Sequence, residues 1–213
     1  MPPEEIKNLA DLQKTLLALP AEPVLRVAID GVDGAGKTTL ADALALGLRA
    51  AGAQVIRASV DGFHFPRAIR YRQGPHSPQG FYQDSYDYAR LRAVLLDPLS
   101  VGGNLRYRTA IFDHRQDLAL DQPELQAVPG SLLILDGIFL HRPELRHYWD
   151  YSVFLALSFE VSVARMAVRD GSDPDPQALS NRRYVEGQKR YLKLCQPEEH
   201  AHLVLDYTQG WVF

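Results

Sequence analysis

The 213-residue chain carries a single cysteine, Cys195, so it forms no intrachain disulfide and builds no cysteine-ligated zinc site. It lacks any long apolar run: the strongest, residues 132–135 and 153–157, are strand-length and far too short to span a bilayer. A large charge of either sign is missing too. With 23 basic and 26 acidic side chains the formal net charge is −3, which gives no global electrostatic case for nucleic acid or an anionic membrane as partner. The opening Met-Pro-Pro-Glu-Glu has no basic stretch followed by an apolar core, so no signal peptide is read and a cytoplasmic location is expected. Repeats, low-complexity tracts and interdomain linkers are also absent. Cys195, near the end of a predicted helix, reads as a packing residue.

Residues 31–38 read Gly31-Val32-Asp33-Gly34-Ala35-Gly36-Lys37-Thr38, a complete G-x-x-x-x-G-K-[ST] phosphate-binding loop. The apolar, β-branched run 24–30 precedes it as a buried strand. Leu40, Leu44 and Leu48 follow at helical spacing until Gly52, a C-terminal cap. Strand, glycine loop and helix in that order give the motif its context. Backbone N–H groups curl around phosphate oxygens, and the helix N-terminus adds a favourable dipole. The nucleotide-binding set is therefore Gly31, Asp33, Gly34, Ala35, Gly36, Lys37, Thr38 and Thr39, with Lys37 reaching the β- and γ-phosphates and the Thr38 hydroxyl ligating Mg²⁺.

The rest of the chain alternates strands and helices. An amphipathic helix is expected over 4–19, strands over 55–59, 132–135, 153–157 and 203–205, and a strand or hairpin arm over 105–112. Helices are expected from Pro66, over 86–96, over 160–170, and from Pro176, with Asp175 as its cap, to about Leu194. Residues 72–83 read as a long loop. The pattern predicts one α/β domain over 1–213, a mostly parallel sheet flanked by helices, with ligands at the carboxyl ends of the strands.

Two acids fall at such strand ends. Asp136 follows Leu132-Leu133-Ile134-Leu135, the pattern of a strand whose terminal carboxylate helps hold Mg²⁺; the next residue is Gly137, not the second acid of a hydrolytic motor. Asp61, in Asp61-Gly62-Phe63-His64, is placed to take a proton from an attacking hydroxyl and to touch the metal. Arg165 and Arg169 lie four apart on one helix and suit the charge that develops on a transferring phosphoryl group. Arg182 and Arg183 raise the same question one helix later. Between the two acids, aromatic and polar side chains form an acceptor-binding set with His64: Tyr82, Asp84, Asp87, Tyr107, His114 and Arg115, rings for stacking and carboxylates for hydroxyls. Tyr88 and Phe112 are first candidates for the core. No Asn precedes a Lys, so the N-K-x-D motif of a GTPase switch is missing.

Taken together, residues 24–207 resemble the uridine kinase and phosphoribulokinase group of P-loop kinases. Asp61-Gly62-Phe63-His64 stands where uridine kinases carry an Asp-Ser-Phe-Tyr type motif with the catalytic base. Leu135-Asp136-Gly137-Ile138-Phe139 is similar to their Glu-Gly-Ile segment, and 165–170 to the lid that closes over the nucleotide, the lid and its following helix covering 160–190. The resemblance implies Mg²⁺-dependent transfer from ATP or GTP to a hydroxyl, uridine or cytidine being the first acceptor, another alcohol such as a pantothenate-like compound or a sugar the alternative, and a nucleotide-binding regulatory protein the reading from another class. Departures fall on the acceptor side. Gly80-Phe81-Tyr82-Gln83 replaces the family's Asn-Phe-Asp-His, leaving Asp84 or Asp87 to compensate; Tyr107 and His114 are seven apart; Gly171-Ser172-Asp173-Pro174 replaces the Glu-Arg-Gly after the lid. The expected partner is a small-molecule hydroxyl acceptor, with a homo-oligomer left open.

Overall fold

The structure is a computed structural model that describes residues 6–208. Helix α1 (Leu9–Ala18) starts where the Asn8 side chain accepts the backbone N–H of Asp11 at 3.0 Å. That cap makes it shorter than the span 4–19; residues 4 and 5 lie outside the described residues. Strand β1 (Val24–Gly31) runs into the glycine loop and helix α2 (Lys37–Ala50), which buries Leu40, Leu44 and Leu48. Gly52, one residue past the Ala51 cap, takes φ 90°, as a helix-ending glycine does. Strand β2 (Val55–Ser59) follows, then a 3₁₀ turn over Val60–Phe63.

The expected loop 72–83 is partly helical. After α3 (Arg67–Arg70), Ser77 accepts the Gly80 N–H at 3.0 Å and Pro78 occupies the first turn of α4 (Pro78–Asp84), a cap-plus-proline signal. The helix expected over 86–96 divides into α5 (Tyr88–Leu91), capped by Asp87, and a π-helical turn over Arg92–Leu96. The expected arm over 105–112 belongs to two nested ribbons. β3 (Arg106–Tyr107) and β4 (Phe112–Asp113) pair antiparallel with β6 (Leu125–Gln126) and β5 (Leu118–Ala119), respectively.

Strands β7 (Ser131–Asp136) and β8 (Tyr151–Ala156), helices α6 (Phe159–Asp170), α7 (Leu179–Cys195) and α8 (Pro197–His200), and strand β9 (Leu203–Asp206) complete the chain. α7 begins one turn later than Pro176, because Asp175 spends its carboxylate on an Asx turn with Gln177 N–H at 2.8 Å. Asn181 then ties the preceding loop down by donating to the carbonyls of Asp173 and Asp175, both at 2.8 Å.

The main sheet is parallel, in the order β2-β7-β1-β8-β9. β7 is buried at every position, as a central strand covered on both faces must be. Leu25, Val27, Ile134 and Val153 pack on α1 and α2; Ala28, Leu133, Leu135 and Phe154 pack with Leu91, Leu95, Phe139 and Tyr191 on the other face. Truncating Leu44 or Leu133, each with no exposed surface, would cost about 2–5 kcal/mol. Tyr88 and Phe112 are buried as expected, and so is Cys195. The register aligns Asp136 with Ile29 on one side and Ser59 on the other. The end of β7 therefore lies between the glycine loop and the turn that carries Asp61.

Candidate active site

The glycine loop is shaped by close approaches. A Cβ at Gly34 (φ 69°) would lie 2.6 Å from the Ser162 carbonyl oxygen, so α6 packs directly on the loop backbone. Gly36 takes φ 87° as the N-cap of α2. Asp33, Gly34, Gly36, Lys37, Thr38 and Thr39 line a cavity of about 720 Å³ together with Asp61, Asp136, His114 and Arg115. Gly31 and Ala35, also expected at the nucleotide, are buried and do not line it. Lys37 Nζ donates to the Val32 carbonyl at 2.8 Å, which keeps its ammonium against the loop.

A magnesium ion is part of the expected chemistry, and the residues present fit one. Thr38 Oγ1 donates to Asp136 Oδ2 at 2.6 Å, joining two of the three expected ligands, and the third, Asp61, lines the same cavity. Asp136 Oδ1 is buried and faces the Arg57 guanidinium, with Nη1 2.7 Å away; the same nitrogen also donates to the Ala58 carbonyl. A carboxylate and a threonine hydroxyl brought together at the end of a parallel strand are the oxygen donors that suit a hard cation, which keeps waters and substrate oxygens as its other ligands. Arg57 escapes sequence reasoning. An arginine in a strand that is half buried was its only signal, since such a charge requires an acid nearby.

Asp61 is exposed at the junction of this cavity with a second one of about 420 Å³. Its Oδ1 accepts from Tyr86 Oη at 3.1 Å. Burial, and then the nearby Asp61 charge, push the Tyr86 hydroxyl well above its ordinary value, so it stays protonated as a donor. His64 Nδ1 lies 3.0 Å from the Asp61 carbonyl, an acceptor only, so Nδ1 carries the proton and Nε2 is left as an acceptor. Burial lowers the His64 pKa to about 4 and keeps the ring neutral. It stacks on His114 with centroids 4.6 Å apart.

The second cavity adds Arg70, Tyr71, Phe81, Ser172, Arg183 and Tyr184 to Asp33, Asp61, His64 and His114. Four expected acceptor residues line neither cavity, and each has a structural employment; Arg115 lines the first cavity only. Asp84 is held by Arg72 at 2.5 Å and Gln73 at 2.7 Å; burial pushes its pKa up, but these bonds outweigh it and hold the carboxyl below its ordinary value. Tyr82 places its hydroxyl 3.3 Å from Cys195 Sγ and its ring under Arg142, 4.2 Å from the guanidinium. Asp87 caps α5, and Tyr107 is buried in β3.

The two lid arginines separate. Arg169 lines both cavities and holds Asp170 through two bonds of 2.7 and 2.6 Å. Arg165 donates instead to the carbonyls of Tyr207 and Thr208, at 3.1 and 2.7 Å, because the chain leaving β9 presents backbone oxygens there. Arg182 and Arg183 separate too: Arg182 lies on the outer side, whereas Arg183 is buried over Tyr71 and donates to the carbonyl of Arg70 at 2.7 Å.

The family model for phosphoribulokinase / uridine kinase matches residues 26–174, the greater part of the chain. The chain belongs to the phosphoribulokinase / uridine kinase family. Membership makes it a P-loop small-molecule kinase, and the cleft carries the loop, the strand-end acids and the facing arginine within one wall. Among solved structures, it is similar to a possible uridine kinase from Bacillus stearothermophilus, with 25% identity, 93% of this chain and 97% of that one covered, and a TM-score of 0.74. The fold is shared with a D-glycerate 3-kinase from Cryptococcus neoformans, at 13% identity, 96% and 95% coverage and a TM-score of 0.57. No curated protein matches the sequence. Among the described residues no helix is long and apolar enough to cross a membrane.

Proposed function

We propose that this kinase transfers the γ-phosphoryl group of ATP or GTP to a hydroxyl of a small acceptor, with a nucleoside as the first acceptor class. The observation that carries the reading is the placement of Asp61, oriented by Tyr86, on the wall shared by the two cavities. The glycine-loop amides and Lys37 fix the phosphates of the donor. Thr38 and Asp136 would hold Mg²⁺, which when bound neutralises phosphate charge. Asp61 takes the proton of the acceptor hydroxyl as it attacks, while Arg169 faces the charge that develops on the transferring group. Neutral His64 offers Nε2 to a second hydroxyl of the acceptor. The rings of Tyr71, Phe81 and Tyr184 support a planar ligand.

A second reading of the acceptor, an alcohol that also carries a carboxylate or phosphate, is favoured by Arg70. Its Nε is buried without a partner, and its Nη2 has only long bonds, 3.3 Å to Asp117 and 3.4 Å to the His114 carbonyl. Release of nucleoside diphosphate across nucleosides, sugars and hydroxy acids tests both. Turnover with a nucleoside supports the first reading, turnover with an acidic alcohol alone the second, and hydrolysis that no acceptor stimulates refutes the kinase assignment of the site.

A further inference from the structure

Asp33 is the one loop residue gripped from both lid-flanking helices. From α7, Gln188 Oε1 accepts the Asp33 backbone N–H at 2.6 Å, and Gln188 Nε2 donates to Asp33 Oδ2 at 3.2 Å and to the Tyr184 carbonyl at 3.1 Å. From α6, Ser162 Oγ donates to the Asp33 carbonyl at 2.6 Å. Gln188 and Ser162 are 2% and 1% exposed, so neither bond has water to replace it. The Gln188 amide spends its acceptor and one donor on Asp33, the loop residue that lines both cavities, and its other donor on the Tyr184 carbonyl of its own helix. The same helix carries Asn181, Arg183 and Tyr184 into the acceptor cavity.

We propose that Gln188 is a positioning residue. It holds the phosphate loop through Asp33 in its nucleotide-binding register, and so ties donor affinity to the helix that lines the acceptor cavity. Any ligand that fixes α7 then tightens the nucleotide, and the nucleotide tightens it in return. This rests on the loop being a nucleotide site and not on the identity of the acceptor.

The test is nucleoside-triphosphate affinity, by calorimetry with Mg²⁺ present, for wild type, Gln188→Leu and Gln188→Glu, each with its melting temperature. Gln188→Leu is expected to weaken the nucleotide by about 5- to 10-fold, the loss of one or two hydrogen bonds at a buried loop. Gln188→Glu keeps the shape and the acceptor for the Asp33 N–H but sets a carboxylate against Oδ2. Asp33 also faces Lys37 on its own loop, Asp61 beyond β2, and Arg169 and Asp170 on α6. The second acid adds one negative charge to that set. Its deficit relative to wild type is therefore expected to grow from pH 5.5 to pH 8.5 and to shrink on acidification, as one proton comes to be shared by the two carboxyls. Affinities of both variants within twofold of wild type at every pH, with only the melting temperature lowered, would make Gln188 a packing residue and overturn the proposal. Should the wild type bind nucleotide yet phosphorylate no hydroxyl, the function proposed above falls while this measurement still decides the role of Gln188.

Discussion

The donor cavity is built around the carboxyl ends of adjacent parallel strands and a loop of backbone amides, whereas the acceptor cavity takes its polar groups from side chains on helices and loops outside the sheet, α6 and α7 among them. Their buried polar atoms differ in kind. The donor side pairs its buried acid, Asp136, with Arg57; the acceptor side leaves the donor Arg70 Nε and the hydroxyl Ser172 Oγ without a partner. The proposed acceptor would supply those missing partners, because a buried polar group left unmade costs about 1–3 kcal/mol. A phosphate is always the same shape, and rigid backbone serves it. Acceptors differ among relatives, and side chains on elements outside the sheet allow that variation without disturbing it.

The sharpest way to break this contrast is at Asp61, which belongs to both cavities. Asp61→Asn is expected to lower kcat by about 10²- to 10⁴-fold, the range for loss of a general base, with nucleotide affinity within about twofold of wild type. Unchanged acceptor-dependent turnover would remove the base assignment. Arg70→Met tests the acceptor side alone. For an acidic alcohol it should raise the acceptor KM by about 10- to 100-fold, as loss of a hydrogen bond to a charged group does, and leave the nucleotide dissociation constant in place. Equal loss for donor and acceptor would show that the two cavities are one site energetically.

The same contrast explains what the sequence discloses. The donor side is legible because its residues are contiguous: 31–38 is one string, and Asp61 and Asp136 are each announced by the strand that ends at them. Arg165 and Arg169 show where contiguity misleads. Helical spacing puts them on one face, but backbone oxygens after β9, some forty residues on, recruit Arg165. Asp84 and Asp87 have the right chemistry for hydroxyls, yet one is clasped by Arg72 and Gln73 and the other caps a helix. The site roles of Arg57, Arg70 and Gln188 are not read locally, since the partners that define them, Asp136, the His114 carbonyl and Asp33, lie tens of residues away or more.

Asp84 gives a smaller and purely structural prediction. Asp84→Asn should destabilise the fold by about 1–3 kcal/mol in urea unfolding, through weakened charge-assisted bonds to Arg72 and Gln73, and leave kcat within twofold. Because the folded carboxyl is held below its ordinary value, that contribution is present above the unfolded pKa of about 4 and is lost as pH falls through the lower folded one. A large loss of kcat at unchanged stability would return Asp84 to the acceptor.

The last effect belongs to His64 and has the same sign, although here burial disfavours the charged form whereas the partners of Asp84 favour it. Burial lowers its pKa from 6.5 to about 4, so between those values the unfolded chain binds a proton that the folded chain refuses. Above pH 6.5 the ring contributes no pH dependence; as pH falls from 6.5 towards 4, stability is lost, by a ceiling of about 3 kcal/mol. His64→Asn removes this titration, so wild-type stability should fall more steeply on acidification than that of the variant over the same window. Parallel stability curves would mean that the folded ring takes up its proton as readily as the unfolded one. Nε2 would then be a donor in mildly acidic solution, and His64 would belong with Arg70 among the groups that attract an anion instead of with Asp61 among those that accept from a hydroxyl.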